Sequence, residues 1–97
     1  MIHAGDIHLA NLHDERRWSV LVMSNDRFHH ASERVLIAPG IEVADDEILP
    51  PWVITVGSGA FALDLLRSMP SSRLLERTGR ASSVDLQRAR HALLQIT

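Results

Sequence analysis

The stretch Arg16 to Phe28, RRWSVLVMSNDRF, constrains the fold more than any other part of the chain. Its centre, Val20 to Met23, is apolar and rich in β-branched residues. That is the pattern of a strand buried on both faces. Ser24-Asn25-Asp26 then ends it with polar, turn-prone side chains. Arg16, Arg17 and Trp18 stand at its entrance. A rigid strand with cations at one end can hold a functional arginine in place, although charges at a loop mouth are most often merely solvated.

The other segments arrange themselves around this strand. Gly5 to Leu12, GDIHLANL, alternates after a glycine start, with Ile7 and Leu9 on one face and His8, Ala10 and Leu12 on the other. It reads as an N-terminal strand. His13 to Arg17 is then a short charged loop, and residues 25–33 are a polar connection with room for a turn of helix. Arg34 to Pro39 reads as a third strand, ended by Pro39-Gly40. The acidic run 42–47 reads as an exposed loop. Residues 51–65, PWVITV-GSG-AFALDL, read as a hairpin about a glycine-rich turn. Pro70-Ser71-Ser72 can begin a helical turn through Leu74 and Leu75, with Gly79 as a stop signal. Ser83 suits the N-cap of a last helix, with Asp85 in its first turn and Leu86, Ala89, Leu93 and Ile96 at helical spacing. Five or six short strands and one terminal helix predict a mainly β fold in one domain, residues 1–97. A small barrel would remove the exposed sheet edges.

Composition narrows the function. Hydrophobic residues make up 45% of the 97, enough for a packed core. There is no cysteine, hence no disulfide and no thiolate chemistry. No apolar run is long enough to span a membrane and no leader precedes Gly5, so a soluble, cytoplasmic protein without a membrane partner is expected. A formal charge of −2 makes no global case for nucleic acid, but all ten basic residues are arginine. The guanidinium fork matches phosphate, and a G+C-rich genome would produce the same bias. The six histidines lack a spacing that would bring two onto one helix face, so no metal site and no cofactor are expected. No glycine-rich loop precedes a helix, and Gly57-Ser58-Gly59 lacks the context of a nucleophile elbow. What remains is His13, Asp14, Glu15, Arg16 and Arg17, with His8 on the strand before. Metal-free cleavage of a phosphodiester needs a base for the ribose 2′-hydroxyl, an acid for the leaving oxygen, and cations for the charge growing on phosphate. Those residue types are all in this cluster.

The order of blocks resembles the MazF/PemK family, the toxins of type II toxin–antitoxin modules. The resemblance is carried by Gly5-Asp6-Ile7, by the strand running into Ser24-Asn25-Asp26, by RVLIAP and the hairpin, and by Ser72-Arg73-Leu74 to Gly79 before the final helix. It implies an SH3-like barrel with a C-terminal helix, usually a homodimer. It also implies sequence-specific, metal-independent cleavage of single-stranded RNA, restrained by a small antitoxin with an acidic disordered tail. On that reading Arg17, Glu15 and His13 are the catalytic candidates, and Arg16, His8, Trp18 and Arg27 the RNA contacts. The family has an Arg-Pro pair immediately before the central strand; here strict counting puts Trp18 in the arginine's place, and Arg17 takes the role after a shift of one residue. Ala38-Pro39-Gly40-Ile41 lacks the hydroxyl that the family carries after its third strand. The alternative is a non-catalytic protein on the same barrel, binding a gyrase-type protein target or acting with its antitoxin as an operator-binding repressor.

Overall fold

The central apolar stretch forms strand β2 (Arg17–Val22), whose last three residues are fully buried. The computed structural model describes residues 1–12 and 16–97. Leu21 packs in one hydrophobic cluster with Phe61, Leu63 and Ala89. Val20 and Val22 pack in a second with Val35, Ile37 and Met69. Side chains alternate along a strand, so β2 supplies both clusters only because the chain covers both its faces.

Strand β1 (Asp6–Asn11) lies antiparallel on one side of β2, with Ile7 opposite Leu21 and Asn11 opposite Arg17. Strand β3 (Arg34–Ile41) lies on the other, with Leu21 opposite Ala38. The hairpin pairs β4 (Val53–Val56) with β5 (Gly59–Ala62), turning at Gly57, whose φ of 59° is the left-handed conformation that glycine adopts freely. With β6 (Arg67–Pro70) and β7 (Leu74–Arg80), the sheet runs β4-β5-β3-β2-β1-β7, and β6 pairs with β3. Helix α1 (Asp26–Ser32) links β2 to β3, and α2 (Ser83–Leu94) packs against β4. The result is a mainly β fold, a curled antiparallel sheet with a C-terminal helix.

Five segments depart from the sequence reading. The link after β2 is two turns of helix, because Asn25 caps it by accepting the Phe28 backbone N–H. Pro39-Gly40 does not end β3. Met23 N–H donates to Leu36 O, so even-numbered residues of β3 bond toward β2 and Pro39 would aim its N–H at the opposite edge. That edge pairs with β6 through Ile37 and with β5 from Gly40, so the missing N–H falls where the strand changes partner. Strand β5 stops at Ala62, and Leu63–Leu65 is a 3-10 turn fixed by Leu63 N–H donating to Trp52 O at 2.8 Å. The helical turn expected from Pro70 covers only Ser71–Arg73; the rest is β7, with Gly79 inside it opposite Ile7. Strand β1 would otherwise expose an open edge, and pairing with it overrides the polar composition of β7.

The C-terminal helix begins one residue earlier than expected. Ser82 is its N-cap and accepts from Asp85 N–H at 3.1 Å. Its buried residues are Ala89 and Ala92, whereas Ile96 lies beyond the helix and is exposed.

Candidate functional site

The entrance of β2 opens onto a cleft of about 220 Å3, lined among others by Arg16, Arg17, Trp18, Ser19, Gly40 and Glu42. The cleft exists because β2 and β3 approach closely here. A Cβ on Gly40 would stand 2.8 Å from the Ser19 carbonyl oxygen, so only glycine fits without displacing backbone. Arg16 and Arg17 are exposed. The Arg16 guanidinium carbon lies 4.4 Å from the centre of the Trp18 ring, a cation–π contact that stiffens both side chains. Arg17 and Ser19 share one face of β2 and Trp18 the other, because Arg17 is opposite Asn11 and Trp18 opposite Ala10.

Three of the expected site residues, Arg16, Arg17 and Trp18, therefore come together. His13 and Glu15 lie outside the described residues. His8 is not in the cleft. It is 8% exposed, its Nδ1–H donates to Leu75 O at 3.0 Å, and its Nε2 is buried without a hydrogen-bond partner among the described residues. Arg27 sits on α1, beyond the far end of β2, and β2 alone spans roughly 17 Å from Arg17 to Val22. It borders another open recess with His29 and His30.

Two residues of the cleft went unremarked in the sequence. Ser19 places a hydroxyl on the same face of β2 as Arg17, and Glu42, just past the end of β3, also lines the cleft. Ser19 was hidden inside the central strand pattern, and Glu42 inside an acidic run read as solvated loop. Leu12, where the described part of the first segment ends, is held from a distance. Arg73 donates an Nη1–H to the Leu12 carbonyl at 2.8 Å. Its own 3-10 turn is fixed to the start of β3 by two bonds from Ser71, N–H and Oγ–H, to Glu33 O, each 3.0 Å.

Asp6 supports the other end of β1. Its side chain is fully buried, its Oδ1 accepts from Arg80 Nε at 2.9 Å and its Oδ2 from the His3 backbone N–H at 2.9 Å. Arg77 Nη1 stands 3.8 Å from Oδ1. Burial alone would raise the Asp6 pKa; the His3 N–H, the Arg80 bond and the two guanidinium charges outweigh it and hold the carboxyl below its ordinary range. Among the described residues no group of three histidine or acidic side chains is placed to hold a metal ion, and no helix is long and apolar enough to cross a membrane.

Comparison with known proteins agrees with this architecture. Residues 3–97 match the family model described as PemK-like, MazF-like toxin of type II toxin–antitoxin system. Comparison with curated protein sequences gives no match. Among solved structures, the chain is similar to an endoribonuclease in complex with its cognate antitoxin from a mycobacterial species, with a TM-score of 0.85 at 14% identity, covering 100% of this chain and 98% of that one. It is also similar to MazF in a MazE–MazF complex from Deinococcus radiodurans, with a TM-score of 0.81 at 22% identity over 98% and 93% of the two chains. The Mycobacterium tuberculosis toxin MazF-mt6 gives a TM-score of 0.72 at 14% identity, with 93% of each chain covered. At these identities the likeness is one of fold.

Proposed function

The chain belongs to the PemK-like, MazF-like toxins of type II toxin–antitoxin systems, and from that premise we propose that it is an endoribonuclease that cuts single-stranded RNA at defined sequences without a metal ion. One observation carries the reading: two exposed arginines, one stacked on a tryptophan, stand at the open mouth of a strand whose other end is locked in the core. Arg17 binds the scissile phosphate and stabilises the charge that builds on it. Trp18 offers a stacking face for a base, and Arg16 a second cation. Glu15 or His13 takes the proton from the ribose 2′-hydroxyl, whose oxygen attacks phosphorus; the leaving 5′-oxygen collects a proton from the second group. The products are a 2′,3′-cyclic phosphate and a 5′-hydroxyl.

Solved structures of similar fold include complexes with an antitoxin, and the same arrangement is proposed here. A small antitoxin with an acidic, disordered tail folds onto the toxin and blocks the cleft. The toxin itself works as a homodimer, since 97 residues bury only a modest core and two-fold pairing buries more. The test is incubation with a long single-stranded RNA in excess EDTA, followed by mapping of the new ends. Recurrent cuts at one short motif, with cyclic phosphate on the 5′ fragment, are expected. Intact RNA after prolonged incubation at high enzyme would overturn the reading in favour of the non-catalytic alternative.

A further inference from the structure

The arginines at the far end of β1 are held differently from ordinary surface arginines. Asp6, at 0% exposure, cannot be solvated and is charged, so the protein must supply its partners. It does so from β7, where Arg80 is opposite Asp6 and Arg77 opposite His8. Asp6 takes the Nε–H of Arg80 and faces Nη1 of Arg77 at a distance too long for a hydrogen bond. Both arginine side chains remain 53% exposed. Among the described residues neither makes another side-chain hydrogen bond, so most of their N–H groups point to water. Two positive charges against one buried negative leave the patch cationic. Between them is an open recess of about 340 Å3, lined by Arg77, Thr78, Gly79 and Arg80.

The buried carboxylate restricts Arg80 before any ligand arrives and thus lowers the ordering cost that weakens most surface arginine contacts. The outer edge of a guanidinium so held matches two phosphate oxygens. The lining has no large apolar side chain. An acidic and apolar peptide would find charge there but no pocket for its anchors, whereas a phosphodiester needs none. The recess, on β7, and the proposed cutting site, on β2, lie on the two strands that flank β1. Asp6 and Asn11, the partners of Arg80 and Arg17, are the two ends of β1, roughly 17 Å apart along the strand, with Asp6 and Arg80 on one face and Asn11 and Arg17 on the other. A single strand of RNA longer than the scissile dinucleotide can reach both sites by passing over the outer edge of β7.

We propose that Arg77 and Arg80 form a second phosphate subsite that holds single-stranded RNA away from the scissile bond. The inference rests on the ribonuclease reading above and adds to it where the flanking RNA runs. Its test is fluorescence anisotropy with a labelled single-stranded RNA, fully 2′-O-methylated so that it cannot be cut, titrated over a range of salt. Arg77→Gln is the informative change because Arg77 only flanks Asp6; Arg77→Lys keeps the charge beside Asp6, and Arg90→Gln on α2 controls for net charge. Neutralising one phosphate fewer lowers the slope of log affinity against log salt by about 0.7. Arg77→Gln is expected to lower it by that amount, Arg77→Lys to keep the slope with weaker binding, and Arg90→Gln to change neither. A folded Arg77→Gln with the same slope and affinity as Arg90→Gln would overturn the subsite alone. Should Arg77→Gln leave RNA binding intact but weaken an Asp/Glu-rich peptide, the patch belongs to a peptide and the proposal falls. Wild type that binds RNA at no salt concentration overturns the subsite and the ribonuclease reading together.

Discussion

Replacing Asp6 by asparagine keeps the shape of the side chain and removes its charge. In the native fold Oδ1 accepts from Arg80 and Oδ2 from the His3 backbone N–H. The amide oxygen of asparagine can serve one of these donors, and its NH2 group then opposes the other. A hydrogen bond to a charged group contributes about 1.5–3 kcal/mol, and Arg80, half exposed, recovers water when released, so the lower part of that range applies. The expected loss is about 2 kcal/mol at neutral pH, or roughly 8–16 °C in Tm for a chain of this size. The pH dependence follows from the direction of the Asp6 shift. Because folding lowers its pKa, the carboxylate stabilises the fold at pH above its ordinary range, and that stability is lost as the pH falls through the folded value. Asparagine has nothing to titrate. The difference between wild type and Asp6→Asn is therefore widest at neutral pH and closes as the pH drops below the ordinary aspartate range. Urea denaturation followed by circular dichroism, at one protein concentration and a series of pH values, reads this directly. A neutral-pH difference under about 0.5 kcal/mol, the size of an ordinary surface substitution, would refute the reasoning. So would a difference that does not change with pH.

Two other changes test how the cleft is held. Gly40→Ala forces a Cβ against the Ser19 carbonyl, and a clash with backbone of this kind costs about 1–3 kcal/mol; a lower Tm together with slower RNA cleavage is expected, and unchanged values of both would show that β2 and β3 do not define the cleft. Arg73→Ala releases the Leu12 carbonyl, and a part-buried hydrogen bond from a charged donor contributes about 1.5–3 kcal/mol; cleavage is expected to slow more than stability alone accounts for, and a rate equal to wild type at temperatures well below Tm would show that the Arg73–Leu12 bond does not support the site.

The central strand, the hairpin and the C-terminal helix were legible because hydrophobic period and turn residues agree there. Val20 to Val22 could hardly be anything but buried. Strand β7 was not legible, since LLERTGR carries polar side chains and a glycine and forms only because β1 needs a partner. Pro39 misled for a similar reason: its missing N–H matters only on the edge it faces, and the local sequence does not say which edge that is. At the site, Arg16, Arg17 and Trp18 could be named because they adjoin the strongest strand in the chain. His8 could not be placed from alternation alone, which gives a face but not whether a neighbouring strand covers it; the Leu75 carbonyl that receives its Nδ1–H is 67 residues away. Glu42 comes to the cleft of Arg17 only through the pairing of β2 with β3, whereas Ser19 shares Arg17's face by strand alternation alone. Asp6 showed itself as part of a short motif, and its burial and its arginine partners came only with β7.

The role proposed for Arg17 is open to single-turnover cleavage of one RNA by wild type, Arg17→Ala and Trp18→Ala in EDTA, with circular dichroism to confirm that each is folded. Arg17 is exposed, so its removal should spare the fold. Loss of a preorganised phosphate donor costs about 2–4 kcal/mol of transition-state stabilisation, roughly a hundredfold or more in rate. That loss is expected for Arg17→Ala, and a smaller one for Trp18→Ala, whose ring stacks but carries no charge. A folded Arg17→Ala that cuts within about threefold of wild type, well short of the ~1.4 kcal/mol that a tenfold change represents, would contradict the assignment of Arg17 to the scissile phosphate.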